Sequence, residues 1–142
     1  MKFTLVSNLN KANKDNFNIA IGGNYNLNKK ILETKNINLL IDPEPLEEDF
    51  MNYKNSGLNQ VLVKLSKKNN IGIGFSLNRI NKLNKIEKSK LFGKILQNIK
   101  LCNKYKINYY IVNFNNDKNI NDLTALALSL GTKNINIIQE VI

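Results

Sequence analysis

Strand-length apolar runs alternate with helical patterns from one end of the chain to the other, and this alternation restricts the possible folds more than any other feature. Phe3 to Ser7 and Phe17 to Ile21 are short runs rich in aromatic and β-branched residues, and Leu27 to Thr34 reads as a helix. Ile37 to Ile41 is continuously apolar and is ended by Asp42-Pro43-Glu44-Pro45. Ser56 is placed to cap a helix running to Asn69, with Leu58, Val61, Leu62 and Leu65 as its apolar stripe and Gln60, Lys64, Lys67 and Lys68 on the opposite face. In the next strand Ile71, Ile73 and Phe75 alternate with Gly72 and Gly74, so bulky groups lie on one side and backbone can approach closely on the other. A long helix is predicted from Lys85 to Tyr105, with Leu91, Ile95, Ile99 and Cys102 buried and Lys90, Lys94 and Lys104 outward. A strand over Asn108 to Phe114, a helix over Asn119 to Leu130 closed by Gly131, and a last strand over Asn134 to Ile138 complete the series.

Repeated βα units with near-continuous apolar strands imply a parallel sheet covered by helices, as a doubly wound sheet or as a barrel. About six strands are too few for a complete eight-stranded barrel. The 142 residues make one domain, spanning residues 1–142, with no linker and no repeat beyond the βα rhythm. In either arrangement ligand-facing residues stand at the C-terminal ends of the strands, which makes the loops after Ile41, Phe75 and Phe114 the expected working face.

Composition removes several classes of function. The chain has no histidine, so Ser-His-Asp and Cys-His catalysis and His-ligated zinc are excluded. Its one cysteine, Cys102, cannot form an internal disulfide and reads as a buried thiol. The apolar runs are too short to span a membrane, and the first residues lack a signal-peptide pattern, so a cytoplasmic protein is expected. The net charge of +10 is unevenly placed: from Phe50 to Lys106 there are 13 basic residues against the single acid Glu87. That segment is therefore +12 and the rest of the chain −2. Such a one-sided field suits a polyanionic partner, because each phosphate neutralised releases condensed counterions. Asparagine, lysine and isoleucine are abundant, and Arg79 is the one arginine, a pattern that A+T-rich coding would also produce.

The stretch NSGLNQVLVKLSKKNNIGIGFS (Asn55 to Ser76), then KLFGKILQNIKLCNKYKI (Lys90 to Ile107) and NDLTALALSLG (Asn121 to Gly131), resembles the archaeal and eukaryotic family of ribonuclease P protein component 3. Order, spacing and identity agree in three blocks. Gln60 stands where the family usually has histidine, Tyr53 or Lys54 occupies a position that is typically basic, and Asn121 replaces a common arginine. The resemblance implies an α/β fold: parallel βα repeats in an incomplete TIM-like barrel, similar to that of a metal-dependent phosphoesterase (PHP) superfamily but without its metal site, and shortened by two βα units at the amino end. It implies a subunit with no active site of its own, which supports a catalytic RNA in 5′ maturation of precursor tRNA. Ribonuclease P RNA and ribonuclease P protein component 2 are the implied partners, with precursor tRNA met indirectly. No cofactor is expected on the protein, and Mg²⁺ is expected on the RNA.

Candidate RNA contacts follow from these readings together. Lys54, Gln60, Lys64 and Lys68 would form one ridge touching phosphates, the commonest kind of protein to nucleic-acid contact, and Lys67 on the same helix is a further candidate. Ser56 and Gly57 could hold a phosphate at the positive end of the helix they open, beside Asn55. Arg79 and Lys82, in the loop after Ser76, complete the set on the working face with Ser76 itself. Gly22-Gly23 reads as a tight turn rather than a phosphate cradle, and the acidic run Asp42 to Asp49 as a solvated loop. Tyr53, Tyr105, Tyr109 and Tyr110 read as core or rim packing. Two other functions stay open: a free-standing barrel-derived phosphoesterase or phosphate-metabolite binder using Gly22, Gly23, Asp42 and Ser76, and a module that joins only protein partners.

Overall fold

The computed structural model describes residues 2–46, 55–114, 125–126, 128–131 and 135–140. Six strands, β1 (Phe3–Leu5), β2 (Phe17–Ile21), β3 (Leu39–Ile41), β4 (Gly72–Ser76), β5 (Tyr109–Phe114) and β6 (Ile135–Glu140), form one sheet in sequence order. Every neighbouring pair is parallel. The sheet curls into a half-barrel. Four helices are described with it: α1 (Tyr25–Leu32), α2 (Gln60–Lys68), α3 (Leu77–Asn81) and α4 (Lys85–Lys104). The short α3 was not predicted, so Arg79 lies on a helix, and Lys82 caps it rather than sitting in a loop.

The helices share one core with the sheet. Ala20, Leu40, Ile73, Phe75, Tyr109 and Ile111 point from the strands towards Ile31 and Leu32 of α1, Leu62 and Val63 of α2, and Leu91, Ile95, Ile99 and Cys102 of α4. Each aliphatic side chain buried there contributes about 1.5–3 kcal/mol. The opposite, concave face of the sheet carries Ile19, Leu39, Ile41, Val112 and Ile138, with Phe3, Phe17, Tyr110 and Phe114 packed against them. Gly72 matters on this side, because a Cβ there would stand 2.4 Å from the Tyr110 ring. The missing side chain lets Tyr110 lie over β4 and reach Phe17, centroid to centroid 6.2 Å, which closes the concave face on itself.

Asparagine, abundant for whatever genomic reason, is used structurally at helix starts. Asn24, Asn59 and Asn84 each accept a hydrogen bond from a backbone N–H of the first turn, at 2.9, 3.0 and 2.9 Å, and each cap stabilises by about 1 kcal/mol. Asn84 and Glu87 form a reciprocal capping box. The cap of α2 is therefore Asn59 and not Ser56, and the helix begins three residues later than expected. With that shift the buried residues within it are Leu62, Val63 and Ser66. Leu58 is buried ahead of the helix, and Val61, expected in the core, is 59% exposed.

Candidate nucleic-acid interface

The C-terminal ends of β3 and β4, where the working face was expected, are filled by the chain itself. Both carboxylate oxygens of Asp42 accept from Ser76, one from its N–H at 2.9 Å and one from its hydroxyl at 2.7 Å. Glu44 is wholly buried and accepts from the Asn98 amide at 2.6 Å, while its carbonyl accepts from Arg79 at 2.5 Å. The remaining oxygen of Glu44 faces the Arg79 guanidinium at 3.7 Å, an ion-pair distance at which no hydrogen bond forms. Lys94, expected to point outward, is completely buried and donates to the Pro45 carbonyl. Asp42, Pro43, Glu44 and Pro45 are thus interior, which corrects the reading of this run as a solvated loop. The rest of that run, Glu47 to Asp49, lies outside the described residues. The physical reason is partnering: buried polar and ionisable groups are tolerated only where hydrogen bonds or opposite charges meet them.

This arrangement bears on metal chemistry. A barrel similar to metal-dependent phosphoesterases would hold its metal at these strand ends, but the donor atoms there are already spent on Ser76, Asn98 and Arg79. No group of three or more His, Cys, Asp or Glu able to hold a metal occurs among the described residues. The residues present do not fit a metal. Gly23, offered for a phosphate cradle, donates its N–H to the Asn28 side chain at 3.2 Å, in keeping with a turn.

Burial, then the nearby charge of Asp42, pushes the Glu44 carboxyl up to about 8 from the usual 4.5. Between those values the folded state keeps a proton that the unfolded state has released. Stability is therefore full below about pH 4.5 and declines as pH rises to about 8. Glu44→Gln is expected to flatten most of this decline, on the order of a few kcal/mol, in urea midpoints measured from pH 4.5 to 8.5. Asp42, also raised by burial, supplies a remaining slope of the same sign. Cys102 is inert by the same cause: burial, then Glu44, lifts its thiol to about 12.

The other expected contacts divide sharply. Ser56 and Gly57 are buried, so neither presents a phosphate cradle at the surface. The Ser56 hydroxyl donates to the Leu58 carbonyl at 3.2 Å, and the Asn55 side chain accepts from the Gly57 N–H at 3.0 Å. Ser76 is buried against Asp42, and Arg79 is held by Glu44. Lys82 is exposed at the end of α3. Lys54 and Tyr53 lie outside the described residues. Gln60, Lys64, Lys67 and Lys68, by contrast, are all exposed on α2.

Three of those four converge on Tyr105, which follows α4. The tyrosine hydroxyl donates to the Gln60 side chain at 3.1 Å. Lys64 stands 5.7 Å from the ring centre, and Lys67 donates to the Tyr105 carbonyl at 3.1 Å. From α4, Lys104 stands 5.5 Å from the same ring. A groove of 810 Å³ runs on between the start of α2 and the second half of α4, lined by Tyr25, Gln60, Gln97, Lys100 and Lys104 among others. On α2 and α4 the sole acid is Glu87, 17 residues from Lys104 along α4 and so about 25 Å away. Sequence reasoning missed Lys100, Tyr105 and the groove. The spacing of Gln97, Lys100 and Lys104 marks one helix face, but that this face meets α2 is a tertiary fact.

Comparison with known proteins agrees with the motif blocks. Over 93 residues the chain is 27% identical to the Ribonuclease P protein component 3 of Methanococcus maripaludis strain C7, covering 66% of this chain and 38% of that protein. The chain is similar to ribonuclease P protein component 3. The component 3 of Methanococcus vannielii is 29% identical over 84 residues, covering 59% of the chain and 34% of that protein. The matched stretch thus spans less than two fifths of these relatives. A chain from a solved structure described as "cryo-EM structure of archaeal Ribonuclease P with mature tRNA" superposes with a TM-score of 0.67 at 22% identity, covering 82% of this chain and 49% of that one. That likeness establishes the incomplete α/β barrel. No protein-family model matches the chain. No described helix is long and apolar enough to cross a membrane.

Proposed function

We propose that this chain is a protein subunit of ribonuclease P that supports the catalytic RNA in 5′ maturation of precursor tRNA. The observation that carries the reading is the gathering of Gln60, Lys64, Lys67 and Lys104 around Tyr105 on the outer face of α2 and α4. Ammonium groups on two rigid helices neutralise phosphates with little ordering cost and fix the RNA in register without reading bases. Lys68 and Lys82 extend the field at the ends of α2 and α3. The similarity to component 3 of two Methanococcus species supports the same assignment. Mg²⁺ belongs to the RNA in this reading, component 2 is the protein partner, and the complex works in the cytoplasm.

A free-standing phosphoesterase is the weaker alternative, because Asp42 and Ser76 are consumed by each other in the interior. Reconstitution separates the two. Catalytic RNA, component 2 and Mg²⁺ are assayed for precursor-tRNA cleavage with and without this chain. Faster 5′ cleavage, or cleavage at lower Mg²⁺, is expected when it is added. An unchanged rate, together with phosphodiester turnover by the chain alone, rejects the proposal.

A further inference from the structure

The groove between α2 and α4 differs in chemistry from the lysine ridge beside it. Among the described lining residues the ammonium groups are Lys100 and Lys104, both from α4, whereas Leu58, Leu101 and the Tyr25 ring supply an apolar floor and wall. Phosphates need no apolar floor. Nucleobases do: an exposed aromatic face and aliphatic side chains accept the flat of a base, and side-chain amides, each both donor and acceptor, meet its edge. Gln60 and Gln97 supply such amides on facing helices, while Asn59, whose oxygen caps α2, donates its amide to the Tyr25 hydroxyl at 3.4 Å and holds that ring in place. At 810 Å³ the groove falls within the roughly 300–1,000 Å³ of pockets that hold small organic ligands. Tyr25 is 37% exposed, so its ring is open to a stacking partner.

From this juxtaposition we infer that the groove seats one unpaired nucleotide of the bound RNA, its base against Tyr25 and the leucine floor and its phosphate towards Lys100 and Lys104. The inference rests on the RNA-binding reading and narrows it. Duplex regions lie along the outer lysines by charge and shape alone, and a single flipped or looped-out residue enters the groove and pins the register. A base in a duplex is stacked on its neighbours and cannot reach the floor, so the groove distinguishes single-stranded from paired RNA.

The test uses the full chain and two probes of equal length, a mixed-sequence single-stranded oligoribonucleotide and the same sequence annealed to its complement. Affinity is measured for the unaltered chain, Tyr25→Ala, Tyr25→Phe and Gln97→Ala, with circular dichroism to establish that each is folded. Tyr25 and Gln97 are exposed helix positions, so all variants are expected to fold. Tyr25→Ala is expected to weaken single-strand binding about tenfold, Tyr25→Phe to restore it, and Gln97→Ala to weaken it about threefold, with duplex binding unchanged throughout. Equal losses on both probes, or none on the single strand, overturn the nucleotide seat while leaving the ridge intact. If the unaltered chain binds neither probe, both this inference and the RNA-binding reading fail.

Discussion

Gly57→Ala is expected to lower the melting temperature by about 10 °C or more. Gly57 has φ +79°, in the left-handed region, and a Cβ there would stand 2.0 Å from the Pro43 carbonyl oxygen. That oxygen cannot retreat, since the Asn28 amide holds both it and the Gly57 carbonyl at 2.9 Å. Backbone strain alone costs about 1–2 kcal/mol; the clash adds several more, as in overpacked cores. Gly131 provides the control. Its φ is +83° with no atom of the described residues within 4 Å of the added Cβ, so Gly131→Ala carries the strain without the clash and should cost only about 1–2 kcal/mol. Parallel thermal melts of the two variants check this, and equal losses would remove the structural role given to Gly57.

Lys64→Glu combined with Lys100→Glu is expected to weaken RNA binding about a hundredfold at physiological salt with little change in melting temperature. Both lysines are exposed, one beside the Tyr105 ring and one lining the groove. The new glutamates face Lys68 and Lys104 at i, i+4, the favourable Glu-to-Lys orientation, worth about 0.2–0.5 kcal/mol each. That offsets the lost contact of Lys64 with Tyr105, about 0.5–1 kcal/mol at an exposed site. Binding and folding are thereby separated. Lys67 and Lys104 are less suitable, since both stand at the carbonyl end of α4 and favour its dipole as well as any ligand.

The strands and the buried stripe of α4 were readable because each rests on a local period. Continuous apolar runs gave β3 and β5, and Leu91, Ile95, Ile99 and Cys102 are all buried as their spacing requires. The start of α2 was misread because Ser56 and Asn59 are equally good caps in isolation; the left-handed turn at Gly57 and the burial of Ser56 decide between them. Lys94 and Glu44 were misplaced because their partners are far away in sequence, 49 and 54 residues. No local pattern distinguishes a lysine that reaches Pro45 from one that reaches water. The candidate interface divides the same way: Gln60, Lys64 and Lys67 follow from the polar face of one helix, whereas Lys100, Tyr105 and Tyr25 join them only once α1, α2 and α4 are packed side by side. The helix expected over Asn119 to Leu130 lies partly outside the described residues, with Ala125, Leu126, Leu128 and Ser129 helical among those within them.

The most direct measurement is the affinity of the unaltered chain for ribonuclease P RNA across a series of salt concentrations. If lysines from α2 and α4 dock on phosphates together, log K falls linearly with log salt, with a slope near −0.9 for each phosphate engaged and so about −4.5 for the five lysines 64, 67, 68, 100 and 104. The Lys64→Glu, Lys100→Glu variant then shows a slope shallower by about two. Affinity that does not change with salt, or a slope that the double variant leaves untouched, contradicts the account.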